Sequence, residues 1–307
     1  MKVTLFVVLF VVISVVKGLD IKCVFNTFQY WNSKEFTCTV KDLKIVNPFV
    51  NITNVVGEYK TNYNSKDVKG FQVINQDTEY LPYQFDVFPN LTFLWVENSN
   101  QKYILKTDFT NLPKLEHIHF HEGEIAEIDK DTFVNTPELW YIAISHHKLK
   151  SLPKCLFRNL SKLKHVSFHD NQLEVIDGDL FKNNPMVDVI RFNDNHLQII
   201  GTQLLHNLKF LEIVWFQHNV CIDMKIDDYE IYEIEDHYQK ACFNETFEKE
   251  SKMKHCIEPK ASVEYYQTDS PFDPCENGKI VIFLIVFITL LVFVTIASLV
   301  MYKKVSK

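Results

Sequence analysis

The sequence has 307 residues, of which 47% are hydrophobic, and its formal net charge at pH 7 is −7. We do not expect a nucleic-acid partner, because such ligands select a basic surface. Much of the acidity follows Asp223, in the stretches IDDYEIYEIEDHY and ETFEKE. These charge runs are typical of a solvated segment and not of a binding face.

Residues 1–18 predict a signal peptide. A lysine precedes an apolar run from Val3 to Val16, and this run is too short to cross a ~30 Å hydrocarbon core. Gly18 supplies a small residue for cleavage, and an uncleaved anchor is the alternative. The seven cysteines would then lie in an oxidising compartment, where they form disulfides and leave one odd thiol.

A second apolar run, Ile280–Met301, carries no charge. As a helix it would reach about 33 Å, enough to span a membrane. Lysines follow it at once, which places the tail, residues 303–307, in the cytoplasm. The sequence therefore predicts a transmembrane helix at 280–302 in the plasma membrane, with the N-terminal region extracellular. A lipid-anchor signal starting at Asn277 is the alternative, but it lacks the usual polar spacer.

An internal repeat of 24 residues organises the middle of the chain. Three positions of the repeat are apolar in all six units. The first position holds Leu91, Leu115, Leu139, Leu163, Val187 and Leu211, and the fourth holds Leu94, Ile118, Ile142, Val166, Ile190 and Val214. The sixth position holds Val96, Phe120, Ile144, Phe168, Phe192 and Phe216. An earlier unit, with Phe71 and Val73, precedes these at a spacing of 23. Because alternate residues of a strand share a face, each unit predicts a short strand with these side chains inward.

The columns form the pattern LxxLxLxxN, which is completed by Asn171, Asn195 and Asn219. On this pattern, residues 68–221 resemble the extracellular leucine-rich repeat family. The resemblance implies about seven units in an α/β-type repeat solenoid, a horseshoe with a parallel sheet on its concave side. Three other units replace the asparagine, by Ser99, Gly123 and His147. We expect the ladder of side-chain hydrogen bonds to be incomplete there.

The flanking segments, 19–67 and 222–279, predict caps over the terminal repeats. Cys23 and Cys38 bracket a β-prone stretch, which indicates a hairpin closed by a disulfide. Cys221 and Cys242 enclose a segment with apolar residues at helical spacing, namely Ile226, Ile231 and Ile234. A disulfide between these two cysteines would hold that helix over the last repeat, and an acidic juxtamembrane stalk would follow it.

Three cysteines remain, and their pairing stays open. Cys256 with Cys275 is a plausible pair in the stalk, which leaves Cys155 as a thiol on the convex side. The family usually places a C-x-C pair in the C-terminal cap, whereas Ile222 and Asp223 follow Cys221 here. The short N-terminal cysteine hairpin with this cap resembles the small insect-type membrane-tethered leucine-rich repeat proteins, and that resemblance implies no defined ligand.

The outward residues of the strands would build the concave face. Trp95, Tyr141 and Trp215 are aromatic anchors of the kind that dominate protein interfaces, although such rings also pack on their neighbours along a sheet. The full set of candidate binding residues is Phe93, Trp95, His117, His119, His121, Tyr141, His165, His169, Arg191 and Trp215. Of these, we expect His165 and His169 to be exposed, together with Ser167.

Histidines are concentrated on this face. His117, His119 and His121 alternate on one strand and would project the same way, about 6.5 Å apart. Three interpretations stay open. The triad binds Zn²⁺ or Cu²⁺ through neutral imidazoles; the histidines make ligand binding depend on pH, with titration below about 6.5; or the surface is polar without either property.

Together these features predict a cell-surface recognition protein, an adhesion molecule or a ligand-binding co-receptor, whose concave face binds a protein or a glycoconjugate. Because the tail is too short for a signalling domain, a partner in the same membrane would carry any signal. Sequons predict glycosylation at Asn51, Asn90, Asn159 and Asn244. The alternatives are a membrane-held structural or matrix-organising protein and a histidine-rich metal-binding surface.

No cofactor and no enzymatic activity are expected. A shallow sheet offers no pocket that excludes water, and the sequence contains no HExxH motif or phosphate loop.

Overall fold

The structure is a computed structural model of the chain, and it describes residues 18–30, 33–48, 50–59, 63–83, 85–227 and 237–253. Residues 1–17 of the predicted signal peptide, the predicted membrane helix and the tail lie outside these ranges, as do Cys256 and Cys275. Within the ranges, no helix is long and apolar enough to cross a membrane.

Short strands dominate the described residues. They are β1 (Leu19–Tyr30), β2 (Ser33–Lys41), β3 (Ile52–Val56), β4 (Gly70–Ile74), β5 (Phe93–Glu97), β6 (His117–His121), β7 (Tyr141–Ser145), β8 (His165–Ser167), β9 (Val175–Ile176), β10 (Val189–Arg191), β11 (Ile199–Ile200), β12 (Ile213–Trp215) and β13 (Lys225–Asp227). Two 3₁₀ turns, Ser65–Asp67 and Lys106–Phe109, a helical stretch over residues 237–241 and the α-helix α1 (Glu245–Met253) accompany them. Eleven strands form a single sheet in the order β13-β12-β10-β8-β7-β6-β5-β4-β2-β1-β3, and β9 pairs with β11 on the other side of the repeats.

The pairing register of the sheet equals the repeat of the sequence. From β5 to β12 the strands are parallel, and each residue lies opposite the residue 24 positions away: Leu94 opposite Ile118, for example, and Ile190 opposite Val214. The predicted register and the solenoid with a parallel sheet are therefore confirmed, with about six turns where about seven units were expected. The inward columns form one continuous core, in which Val166 and Phe168 are fully buried.

The N-terminal end of the sheet is a hairpin. β1 and β2 pair antiparallel, and a disulfide joins Cys23 to Cys38 as predicted. β2 then pairs in parallel with β4, so the hairpin continues the sheet of the repeats. β3 lies at the outer edge, parallel to β1.

The C-terminal end differs from the prediction. The disulfide Cys221–Cys242 is present, but Ile226, predicted to be helical, lies in β13, which pairs antiparallel with β12. The free edge of β12 explains the difference, because its unpaired backbone groups are satisfied by a further strand. Ile231 and Ile234 lie outside the described residues, and residues 237–241, just before Cys242, are helical.

Cys155 is disulfide-bonded, so it is not a free thiol. The acidic stretch ETFEKE is mostly exposed, as expected. It forms most of α1 and also contacts the repeats, because the Glu248 carboxylate accepts a hydrogen bond from the backbone N–H of Thr202 at 2.7 Å. Asn244 caps this helix by accepting from the N–H of Phe247, which favours a helix despite the charge.

Candidate functional site: the concave face and its edge

A row of left-handed residues follows the strands. The eighth position of each unit has a φ between 46° and 59°, at Asn98, Glu122, His146, Asp170, Asp194 and His218. Most L-residues avoid this conformation, and Asn, Asp and His tolerate it best. Because neighbouring strands are about 4.8 Å apart, these side chains form a polar row along one edge of the sheet.

Next to this row, the predicted asparagine ladder is present. The side-chain oxygens of Asn171, Asn195 and Asn219 accept hydrogen bonds from the backbone N–H groups of Leu149, Leu173 and Leu197 at 3.2, 2.9 and 3.0 Å. His147 imitates the same contact, because its Nδ1 accepts from the N–H of Ile125 at 3.3 Å. Ser99 makes a related bond, accepting from Gln76 N–H at 3.3 Å. Gly123 has no side chain with which to contribute.

The structure places nine of the candidate binding residues on the strands that line the concave face and His169 two residues after β8, but it buries some of them. Phe93 is 2% exposed, His117 9% and His165 6%, and the other seven are partly exposed. The expected exposure of His165 and Ser167 is wrong. The His165 ring lies against the Tyr141 ring of the adjacent strand, with centroids 4.5 Å apart, because strand spacing brings aromatic rings on neighbouring strands into contact.

The two concave tryptophans are also held by their neighbours. Trp95 stacks on His119 with ring centroids 3.8 Å apart, and its Nε1 donates to the Glu97 carboxylate at 2.8 Å. The Trp215 ring meets cations from both adjacent strands, the Arg191 guanidinium at 4.2 Å and the Lys225 ammonium at 4.5 Å. These cation–π contacts fix the ring orientation. The face thus presents rings in set positions.

Burial determines the charge of the histidines on this face. It lowers the pKa of His117 to about 4 and that of His165 to about 3, where the nearby Arg191 charge adds to the effect. Burial, together with the neighbouring His121 and His169, lowers the pKa of His119 to about 4. These three imidazoles are therefore neutral at pH 5.5 as well as at pH 7.5. The expected titration over that interval is wrong for them.

The predicted metal triad is not brought together. The His117 ring packs against Trp140, with centroids 4.2 Å apart, and His119 lies on Trp95. The His121 Nδ1 lies 3.1 Å from the Ser145 hydroxyl oxygen, and the His121 ring lies 4.5 Å from that of His146 and 5.8 Å from that of His119.

Another group has converging ligand atoms. Those of His146, His169 and Asp170 lie within 4.8 Å of one another. His146 and Asp170 were absent from the candidate set, because alternation along a strand does not extend into the left-handed turn. Their common eighth position in successive units was the signal that would have found them.

The sequons lie away from the concave strands. Asn51, Asn159 and Asn244 are exposed, and Asn90 is partly buried, with its amide donating to the Lys66 carbonyl. Their glycosylation stays a prediction.

Comparison with known proteins agrees with this architecture. The model of the BspA type leucine rich repeat region matches residues 81–212 in six copies. Among solved structures, the APL1 leucine-rich repeat domain is 20% identical with a TM-score of 0.52, and the match covers 66% of this chain and 48% of that one. The LRIM1/APL1C complex gives 21% identity and a TM-score of 0.52, over 66% of this chain and 39% of the other.

The chain thus spans about half or less of the length of the solved chains it matches. No curated protein sequence matches it. The repeat register, the asparagine ladder and these matches together show that the described residues adopt a leucine-rich repeat fold.

Proposed function

We propose that the chain is a cell-surface recognition protein and that its concave face binds an extracellular protein partner. The observation that carries the proposal is the set of partly exposed aromatic rings, Trp95, Tyr141 and Trp215, spread over the sheet and held by neighbouring side chains. Aromatic residues are enriched among the side chains that dominate binding energy at protein interfaces.

Preorganisation adds to this argument. Side chains that are free in solution lose rotamer entropy when a partner immobilises them, at about 0.5–1.5 kcal/mol each. Rings that are already stacked or sandwiched lose less. Leucine-rich repeat folds generally serve as scaffolds for protein interaction, which is in line with the same function.

The location of the sequons also favours the concave face as the binding surface. A glycan on Asn51, Asn159 or Asn244 would not start from a concave strand, so the sheet would stay accessible. With the predicted signal peptide and membrane helix, the repeats would stand outside the cell, and a co-receptor in the same membrane would carry any signal. Linking of copies through a free Cys155 would favour the structural alternative, but Cys155 is disulfide-bonded.

Proximity labelling on living cells tests the proposal. The intact chain, fused to a labelling enzyme, is compared with the variants Trp95→Ala and Tyr141→Ala. We expect the partner signal to fall, and the affinity for a purified partner to drop by about 30-fold for an anchor residue, equivalent to about 2 kcal/mol.

The matched control is Phe210→Ala, which removes an exposed ring, 56% accessible, outside the concave strands. Thermal unfolding of each variant separates lost binding from lost folding. Folded Trp95→Ala and Tyr141→Ala proteins that keep the wild-type partner and affinity would exclude this face as the binding surface.

A further inference from the structure

We propose that His146, His169 and Asp170 form a binding site for a divalent transition-metal ion of the zinc class, at the edge of the concave sheet. The three residues come from two adjacent units. His146 and Asp170 both occupy the eighth, left-handed position, and His169 is the seventh residue of its unit. The period of the solenoid therefore stacks the His146 and Asp170 side chains.

The distances suit a tetrahedral ion. The His146 Nε2 lies 3.4 Å from the Asp170 Oδ2, and the His169 Nε2 lies 3.9 Å from the same oxygen. Ligand bonds of about 2.0–2.2 Å around a tetrahedral zinc place ligand atoms about 3.3 Å apart. Shifts of about 0.1 and 0.6 Å bring these two pairs to that spacing, and the ligand atoms of His146 and His169 lie within 4.8 Å of each other.

Neighbouring groups orient the His169 ligand. The His169 Nδ1 lies 2.8 Å from the Ser167 hydroxyl oxygen, which leaves Nε2 directed at the site, the arrangement common for metal-binding histidines.

The His121 side chain lies close enough to be considered as a fourth ligand. The His121 ring centroid lies 4.5 Å from that of His146 and 6.5 Å from that of His169. This ring and a water molecule are the two candidate sources of a fourth ligand.

The donor set selects the class of ion. Two or three imidazoles with one carboxylate suit Zn²⁺, Ni²⁺ and Cu²⁺, whereas Ca²⁺ and Mg²⁺ prefer an all-oxygen set. The side chains of His146 and Asp170 are 39% and 37% exposed, so an ion can reach the site from solvent. Glu122, in the same left-handed row, adds a negative charge beside His121.

Isothermal titration calorimetry with Zn²⁺ on the intact, untagged, disulfide-bonded chain tests the site at pH 7.5 in a non-chelating buffer. We expect one Zn²⁺ per chain. His146→Asn and Asp170→Asn should each weaken binding by at least about 100-fold, and Ser167→Ala by about 10- to 100-fold, the usual range for a residue that orients a metal ligand. Asparagine is chosen because it tolerates a left-handed backbone, so both variants should keep the fold.

His196→Asn is the matched control, because it removes an exposed histidine elsewhere on the repeats and should leave the Zn²⁺ affinity unchanged. The visible absorption of bound Co²⁺ provides a second measurement, since a tetrahedral site gives bands that a weakly associated ion does not. Absence of binding, several weak equivalents, or one tight equivalent that survives both His146→Asn and Asp170→Asn would each overturn the proposal. The test requires no protein partner, so its outcome is independent of whether the proposed recognition function is correct.

Discussion

His147 fits a position that asparagine holds in the following three units, and Gly123 makes this possible. The imidazole is larger than an amide, and it occupies the space beside Gly123: a Cβ added there would lie 2.6 Å from the His147 Cε1. The two residues are thus a matched pair in adjacent units. Each departs from the consensus, and together they preserve the hydrogen bond to the Ile125 N–H.

Gly123→Ala should destabilise the chain by about 1–3 kcal/mol, the usual range for overpacking a core. Urea unfolding measures this loss. In a His147→Asn background the loss should be smaller, because the shorter side chain vacates the space. Some cost should persist, since the Ser99 carbonyl oxygen lies 3.0 Å from the added Cβ. An equal cost in both backgrounds would show that the His147 ring is not the obstacle.

The buried imidazole of His165 predicts sensitivity to acid. Its folded-state pKa is about 3, below the ordinary value of about 6.5, so protonation favours the unfolded chain. His165 has no such effect above pH 6.5, and the free energy of unfolding falls as the pH drops from 6.5 towards 3. At pH 5 the loss from this residue is about 2 kcal/mol.

His165→Phe should remove this part of the acid destabilisation and keep a ring against Tyr141, since Phe93 fills the same position in β5. The Arg191 charge, which opposes protonation of His165, stays in place in the variant. Urea unfolding at pH 7.5 and pH 5 gives the comparison. Equal losses for the two proteins would contradict the assignment.

At the scale of elements, the asparagine ladder joins each strand to the turn of the next unit. Asn195 accepts from Leu173 N–H and donates to the carbonyls of Phe168 and Phe192 at 2.9 and 3.1 Å. It is 4% exposed, so no water replaces it readily. Deleting the side chain leaves buried backbone groups unpaired, and each such group costs about 1–3 kcal/mol.

We therefore expect Asn195→Ala to destabilise the chain by about 3 kcal/mol. The equivalent change Ser99→Ala should cost less, about 1 kcal/mol, because the hydroxyl makes longer contacts, at 3.1–3.4 Å. Equilibrium unfolding of both variants provides the measurement. Equal losses would mean that the ladder carries no more energy than its serine substitute.

The strand elements were largely predictable from the sequence, and the candidate site was not. The spacing of 24 located Val166 and Phe168 in the core, because period and alternation leave one way to face the strands. Burial on the concave side depends on contacts between strands, such as His165 with Tyr141, which a strand taken alone does not reveal. Ile226 was misassigned for a related reason, since the free edge of β12 determined its conformation.

At the scale of the whole molecule, each repeat contacts only its neighbours, so stability is distributed along the solenoid. The ends have one neighbour each and depend on additional links. At the C-terminal end these links include the Cys221–Cys242 disulfide and a backbone hydrogen bond from Ile200 N–H to the Cys242 carbonyl.

Replacing Cys221 and Cys242 together by alanine should reduce the free energy of unfolding by about 3 kcal/mol, the chain-entropy estimate for closing a loop of this size. Native-state hydrogen exchange should show lost protection in β12 first, with β6 and β7 changing little. Uniform loss of protection along the sheet would indicate a single cooperative unit instead.

The left-handed row has a further consequence for how such a chain can change over time. The backbone at the eighth position is set by the strand before it and by the ladder beside it, and in this protein it already accepts Asn, Glu, His and Asp. The eighth position can therefore be substituted in one unit after another along this edge of the sheet, while the residues of the core stay the same. Adjacent members of the row contact each other, as His146 and Asp170 do at 3.4 Å, so a change at two neighbouring positions can create a new binding site without redesigning the fold.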